Sequence, residues 1–108
     1  MVRDELLRRR ASAEAEAATL ARDLEALFTA SRDSNADDEH DPEGATIGFE
    51  RAQLTALLAA LRERIAEINN ALRRVDAATY GVCERCGQPI AEERLAVRPF
   101  ARCCTPCA

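Results

Sequence analysis

The stretch IGFERAQLTALLAALRERIAEINNALRRV, Ile47 to Val75, places an apolar residue at every seventh position: Ile47, Leu54, Leu61, Ile68 and Val75. Leu58, Ile65 and Leu72 follow the middle three of these by four residues. Such spacing, kept up over four heptads, is the mark of a helix that buries a narrow seam against another helix. A partner is available upstream. Val2, Leu6, Ala13, Ala17, Leu20, Leu24 and Leu27 recur at steps of three, four or seven, and Arg9 and Arg10 interrupt their stripe. Two helices are therefore expected, from about 3 to 33 and from about 42 to 79. Asp41 can cap the second, Pro42 suits its first turn and Glu43 complements its dipole, while Gly44 and Gly48 weaken that turn. At 1.5 Å per residue the helices would reach roughly 45 and 55 Å. The short connection between them favours an antiparallel hairpin. Leu7, Phe28 and Leu57 fall outside the seam. A second copy of the chain, completing a four-helix bundle, is the homodimer that would cover them.

Composition agrees with this reading and excludes others. Aromatic residues make up 4% of the 108-residue chain and Trp is absent, too little for a dense sandwich or barrel core. Apolar residues reach 47% and charged residues 31%, the balance of long amphipathic helices. Every basic residue is Arg. A net charge of −4 argues against a general nucleic-acid coat. The opening MVRDELLRRR has no apolar run and no segment is long enough to span a membrane, so a cytoplasmic chain with no membrane partner is expected. Thiols are kept reduced in that compartment, and five Cys then point to metal before disulfides.

Four of the five form two C-x-x-C pairs, Cys83 with Cys86 and Cys104 with Cys107, separated by seventeen residues. Four thiolates at this spacing can converge tetrahedrally on one Zn²⁺, leaving no open coordination position, so the site is expected to be structural. Gly87 follows the first pair, where a residue without Cβ lets backbone N–H groups turn toward sulfur. A redox role for the pairs would need a βαβ context that nothing in the chain supplies. Cys103, next to Cys104, is a candidate substitute ligand, and a spare, partly buried thiol is the expected reading. Ile90, Leu95, Val97 and Phe100 are expected to form a small core over the metal, joined to the helices through Tyr80 and Gly81.

The finger residues YGVCERCGQPIAEERLAVRPFARCCTPC, with Tyr80-Gly81, Gly87, Ile90, Arg94-Leu95, Pro99 and both cysteine pairs, resemble the C4 zinc finger of the DksA/TraR family of bacterial transcription regulators. The resemblance covers about the last quarter of the chain residue by residue, and the preceding hairpin matches in architecture. It implies a mainly α fold: a long antiparallel coiled coil over residues 1–79, with a C4 zinc finger at its base over 80–108. It also implies a non-enzymatic regulator with no catalytic residues, which binds RNA polymerase and passes the tip of its coil into the secondary channel. The chain looks like a short form of the family.

The tip would be DSNADDEHDPEG, Asp33 to Gly44, with six carboxylates in twelve residues. A calcium loop is disfavoured by its ligands: Asp38 stands where an EF-hand needs Gly, and Gly44 where it needs a bidentate Glu. His40 reads as a solvated loop residue. Asp38 and Asp41 keep the family's spacing of two tip Asp residues, with Glu43 where the family has Ala. They are the carboxylates expected near the polymerase active centre. With a turn centred near Asp37, Arg8, Arg9 and Arg10 would lie alongside Arg62 and Arg64, and Arg3 near Arg73 and Arg74. Arg9 and Arg10, with Arg94 of the finger, are the expected docking residues. Two other classes compete: a zinc-finger nucleic-acid binder using Arg85, Arg94, Arg98 and Arg102 on phosphates, and a structural coiled-coil adaptor. Direct DNA binding is not expected from an acidic chain.

Overall fold

The computed structural model describes the backbone of residues 2–33 and 42–108, with side chains for 2–30 and 46–108. Two long helices, α1 (Val2–Asp33) and α2 (Pro42–Asp76), precede a short helix α3 (Glu92–Val97) and a closing 3-10 turn (Thr105–Cys107). Among the described residues the only extended pairing is an isolated antiparallel bridge between Val82 and Pro89. The chain is thus mainly helical, as its heptads require. Contacts divide it into two compact units: residues 1–10 with 65–108, and residues 11–64.

In the first unit the two helices run antiparallel. The Arg3 guanidinium pairs with the Asp76 carboxylate at 3.1 Å, and Arg10 donates to Asn69 Oδ1 at 3.0 Å, so rising numbers on α1 meet falling numbers on α2. This register lies about five residues from the one a turn at Asp37 implies. Arg3 therefore finds an acid on α2, and Arg10 an amide. Leu6, Ile68, Ala71 and Leu72 form the buried core, with Leu7, Val75, Tyr80 and Phe100 packed against it. Burying each of the large aliphatic side chains contributes about 2 kcal/mol. Leu7, expected outside the seam, is thus partly covered, while Val2 at the start of the stripe is exposed.

Helix α2 stops at Asp76, three residues before the end expected from its pattern, and the reason is a backbone cap. The Thr79 N–H donates to the Arg74 carbonyl at 2.8 Å and the Ala78 N–H to the Val75 carbonyl at 3.1 Å, while Ala78 takes a left-handed φ of 61°. Those two bonds and that conformation make a Schellman cap, which satisfies carbonyls the helix end leaves over.

In the second unit, Ala13, Leu58 and Leu61 are buried, and Ala17, Leu20, Leu24, Leu27 and Leu54 are half-buried. The stripe read from the sequence is the one that packs. Phe28 and Leu57 are exposed, as their place outside the seam requires, and so is Phe49. The Arg51 guanidinium lies 4.9 Å from the centre of the Phe28 ring, a cation–π contact that covers part of that exposed aromatic. Among the described residues no helix is long and apolar enough to cross a membrane.

Candidate metal centre

Each cysteine pair sits on a tight turn held by its own backbone. After Cys83, the Gly87 N–H donates back to the Cys83 carbonyl at 3.0 Å, and the Cys83 N–H donates to the Gln88 carbonyl at 2.8 Å. Gly87 adopts φ +74°, a conformation that a side chain would strain, so the residue after the first pair has to be Gly. At the second pair the Cys107 N–H donates to the Cys104 carbonyl at 3.0 Å, closing the 3-10 turn. One further bond, from the Glu84 N–H to the Arg102 carbonyl at 2.9 Å, ties the two turns together across eighteen residues of chain.

The result is a cluster of four sulfurs. The Sγ atoms of Cys83, Cys86, Cys104 and Cys107 all lie within 4.8 Å of one another, and those of Cys86 and Cys104 are 3.6 Å apart. Zinc–sulfur bonds of about 2.3 Å in a tetrahedron put neighbouring sulfurs about 3.8 Å apart, so the donor set fits Zn²⁺. The electrostatics fit as well. Backbone N–H groups of Cys104 and Cys86 draw the Cys83 thiol down to about 5, so one sulfur readily carries a charge. Side-chain bonds from Cys104, Cys86 and Cys83 push Cys107 up to about 12. For Cys86 the Gln88 N–H pulls down, but bonding to Cys104 and Cys83 outweighs it and the thiol is raised. Four thiols this close cannot all ionise alone, and a divalent cation removes that conflict.

Cys103 stays outside the cluster, half-buried, and the Arg94 Nε–H donates to its carbonyl at 3.0 Å. Ile90 is 4% exposed and supplies the buried apolar contact of the finger. Val97 does not join it. Standing on the last residue of the short α3, it is 82% exposed. Phe100 turns instead to the core shared with α1 and α2, and the Tyr80 hydroxyl donates to the Pro99 carbonyl at 2.9 Å. Burial raises the Tyr80 pKa above its usual value, against the lowering effects of Arg74 and Arg9, so the hydroxyl keeps its proton and remains a donor.

Sequence reasoning did not find the arginines that hold this centre together. The Arg74 side chain is only 12% exposed and donates to the Phe100 carbonyl at 3.2 Å, with the Glu84 carboxylate 3.9 Å away. Arg85 donates to the Cys107 carbonyl at 3.0 Å. No local pattern signals such bonds, because their acceptors are backbone carbonyls distant in sequence. Among the expected docking residues, Arg9 pairs with Glu5 at 3.1 Å on an exposed face, whereas Arg10 and Arg94 donate to groups of the fold itself. Asp38, Asp41 and His40 lie outside the described residues.

Residues 78–108 match the family model of the prokaryotic dksA/traR C4-type zinc finger. Over nearly its whole length the chain superposes on the structure of transcription factor DksA2 from Pseudomonas aeruginosa, with a TM-score of 0.81 and 27% identity, covering 98% of this chain and 76% of that one. Residues 78–108 thus form a finger of the dksA/traR C4 type. Other relatives agree. The RNA polymerase-binding transcription factor DksA of Caulobacter vibrioides is 50% identical over 40 residues, 37% of this chain and 28% of that protein. General stress protein 16O of Bacillus subtilis is 39% identical over 69 residues, 64% of this chain and 42% of that protein. The chain spans less than half the length of these curated relatives. In this chain the four-cysteine cluster is the metal centre of the finger, and the long helical pair precedes it.

Proposed function

We propose that this protein is a cytoplasmic, non-enzymatic regulator that binds bacterial RNA polymerase, with its finger holding one structural Zn²⁺ through Cys83, Cys86, Cys104 and Cys107. The observation that carries the reading is the shared core: Tyr80 and Phe100 of the finger pack on Leu6, Ile68, Ala71 and Leu72 of the helices. A finger built into the foot of a helical hairpin acts as a rigid base for it, and DksA of Caulobacter vibrioides, similar over the finger, is named as polymerase-binding. With all four positions taken by thiolates, the metal has no open site for chemistry. In this reading the hairpin enters the secondary channel and brings Asp38 and Asp41 toward the active centre. Carboxylates there can meet basic side chains or the catalytic Mg²⁺. Arg9, with 47% of its side chain exposed beyond its pair with Glu5, is the foremost docking residue. Arg10 and Arg94 serve docking by holding that surface in shape.

The nucleic-acid reading is weaker on the same geometry, since Arg85 and Arg94 spend hydrogen bonds on the finger's own carbonyls. The deciding experiment is a pull-down with core RNA polymerase, followed by crosslinking from position 38. Retention of polymerase with crosslinks inside the secondary channel is expected. Failure to retain polymerase, with salt-sensitive binding to naked DNA in its place, would overturn the assignment.

A further inference from the structure

Arg10 occupies a place that the hairpin's pattern reserves for an apolar residue. The α1 stripe runs Leu6, Arg10, Ala13, Ala17, Leu20, Leu24, Leu27, with alternating steps of four and three, and every member is buried or half-buried. A charged residue thus stands inside an otherwise apolar seam, one turn from the fully buried Leu6. Its guanidinium is not left bare: it donates to Asn69 Oδ1 across the hairpin at 3.0 Å. A heptad seam has a weakness that this arrangement answers. Sliding one helix past the other by seven residues restores apolar contacts almost everywhere, because the pattern repeats at that interval. A polar residue at a single core position breaks that degeneracy, at some cost in stability.

We infer that Arg10 and Asn69 together set the register of the hairpin. In the native register the cation meets an amide oxygen. A slip of seven residues in one direction would bring Arg62 into the place of Asn69, setting two cations against each other in a partly desolvated seam. The opposite slip would bring Asp76 there and take that carboxylate from Arg3, which now holds it at 3.1 Å. Arg10 is in this sense a positioning residue. It decides which residues of α1 and α2 lie side by side.

The test uses the full zinc-loaded chain with a photo-crosslinking amino acid in place of the exposed Val2, which leaves Arg3 and its pair with Asp76 intact, and the products are mapped by mass spectrometry. The parent should crosslink to one short segment around Asp76. Arg10→Leu should melt at a higher temperature, since an apolar residue replaces a charge in the seam. It should also give a second group of crosslinks in comparable yield, about seven residues from the first. Arg10→Gln, which can still donate to Asn69, should restore the single group. A single group at Asp76 in Arg10→Leu would overturn the inference. So would a lower melting temperature in that variant with the register unchanged, which would make Arg10 an ordinary stabilising contact. Asn69→Leu keeps the question open to test should Arg10→Leu fail to fold: it leaves the cation without its amide partner, and an unchanged single group there would equally overturn the inference.

Discussion

Ala78 sits where most helices of this kind place Gly. Its φ of 61° is left-handed, a conformation that costs an L-residue about 1–2 kcal/mol, yet the cap it completes satisfies the carbonyls of Arg74 and Val75. Gly at this position removes the strain and gives back part of the gain as unfolded-chain entropy. Ala78→Gly is expected to stabilise the protein by about 1 kcal/mol, read as a rise in the thermal midpoint with zinc binding unchanged. The cysteines separate in the same way by geometry. Cys83 is 2% exposed and belongs to the sulfur cluster, so Cys83→Ser should lose the metal, measured by bound-zinc content. Cys103 contributes its carbonyl and not its sulfur, so Cys103→Ser should keep full zinc and shift stability by less than about 0.5 kcal/mol.

At the scale of elements, the finger and the feet of the helices share one core, and this decides what metal removal does. Tyr80 and Phe100 reach it from the finger, and Arg74 ties α2 to the Phe100 carbonyl. Chelation should therefore do more than melt residues 80–108. Hydrogen exchange should quicken at Leu6 and from Ile68 to Val75, while Leu58 and Leu61, in the other unit, keep their protection. Loss of protection confined to the finger would mean that the helical core stands without it. Under the proposed function the segment joining α1 and α2 has a different task. Asp38→Asn with Asp41→Asn removes two negative charges, so polymerase binding should persist within a few-fold while the effect on promoter-complex lifetime is lost. Unchanged regulation by that variant would reduce the acidic run to a solvated turn.

For the whole molecule, the proposed function depends on how charge is distributed along the chain. The net charge of −4 hides an uneven distribution: six carboxylates are concentrated in residues 33–44, while the first ten residues carry four Arg. Exposed Arg near the base attracts an acidic surface over a distance set by ionic strength. Under the proposed function, Arg9→Glu should slow association with polymerase, with an effect that fades as salt is raised, and should change folding stability by less than about 0.5 kcal/mol because its pair with Glu5 is exposed. An equal loss of affinity at all salt concentrations would assign Arg9 a direct, buried contact in place of a steering role.

The existence of the helices, their apolar faces and the zinc ligands were all determined by the sequence alone. Heptads from Ile47 to Val75 and two C-x-x-C pairs are local patterns, and local sterics and ligand chemistry suffice to read them. Register was a different matter. A repeating seam fits itself at more than one offset, and the folded chain shows the one in which Arg3 meets Asp76 and Arg10 meets Asn69. Tertiary structure likewise decided that Phe100 joins the helical core, that Val97 faces water, and that Arg74, Arg85 and Arg94 serve backbone carbonyls. A backbone carbonyl is the same acceptor at every residue, so the sequence does not mark which one an arginine will reach. The folded chain makes that choice by bringing residues far apart in sequence within about 3 Å of one another.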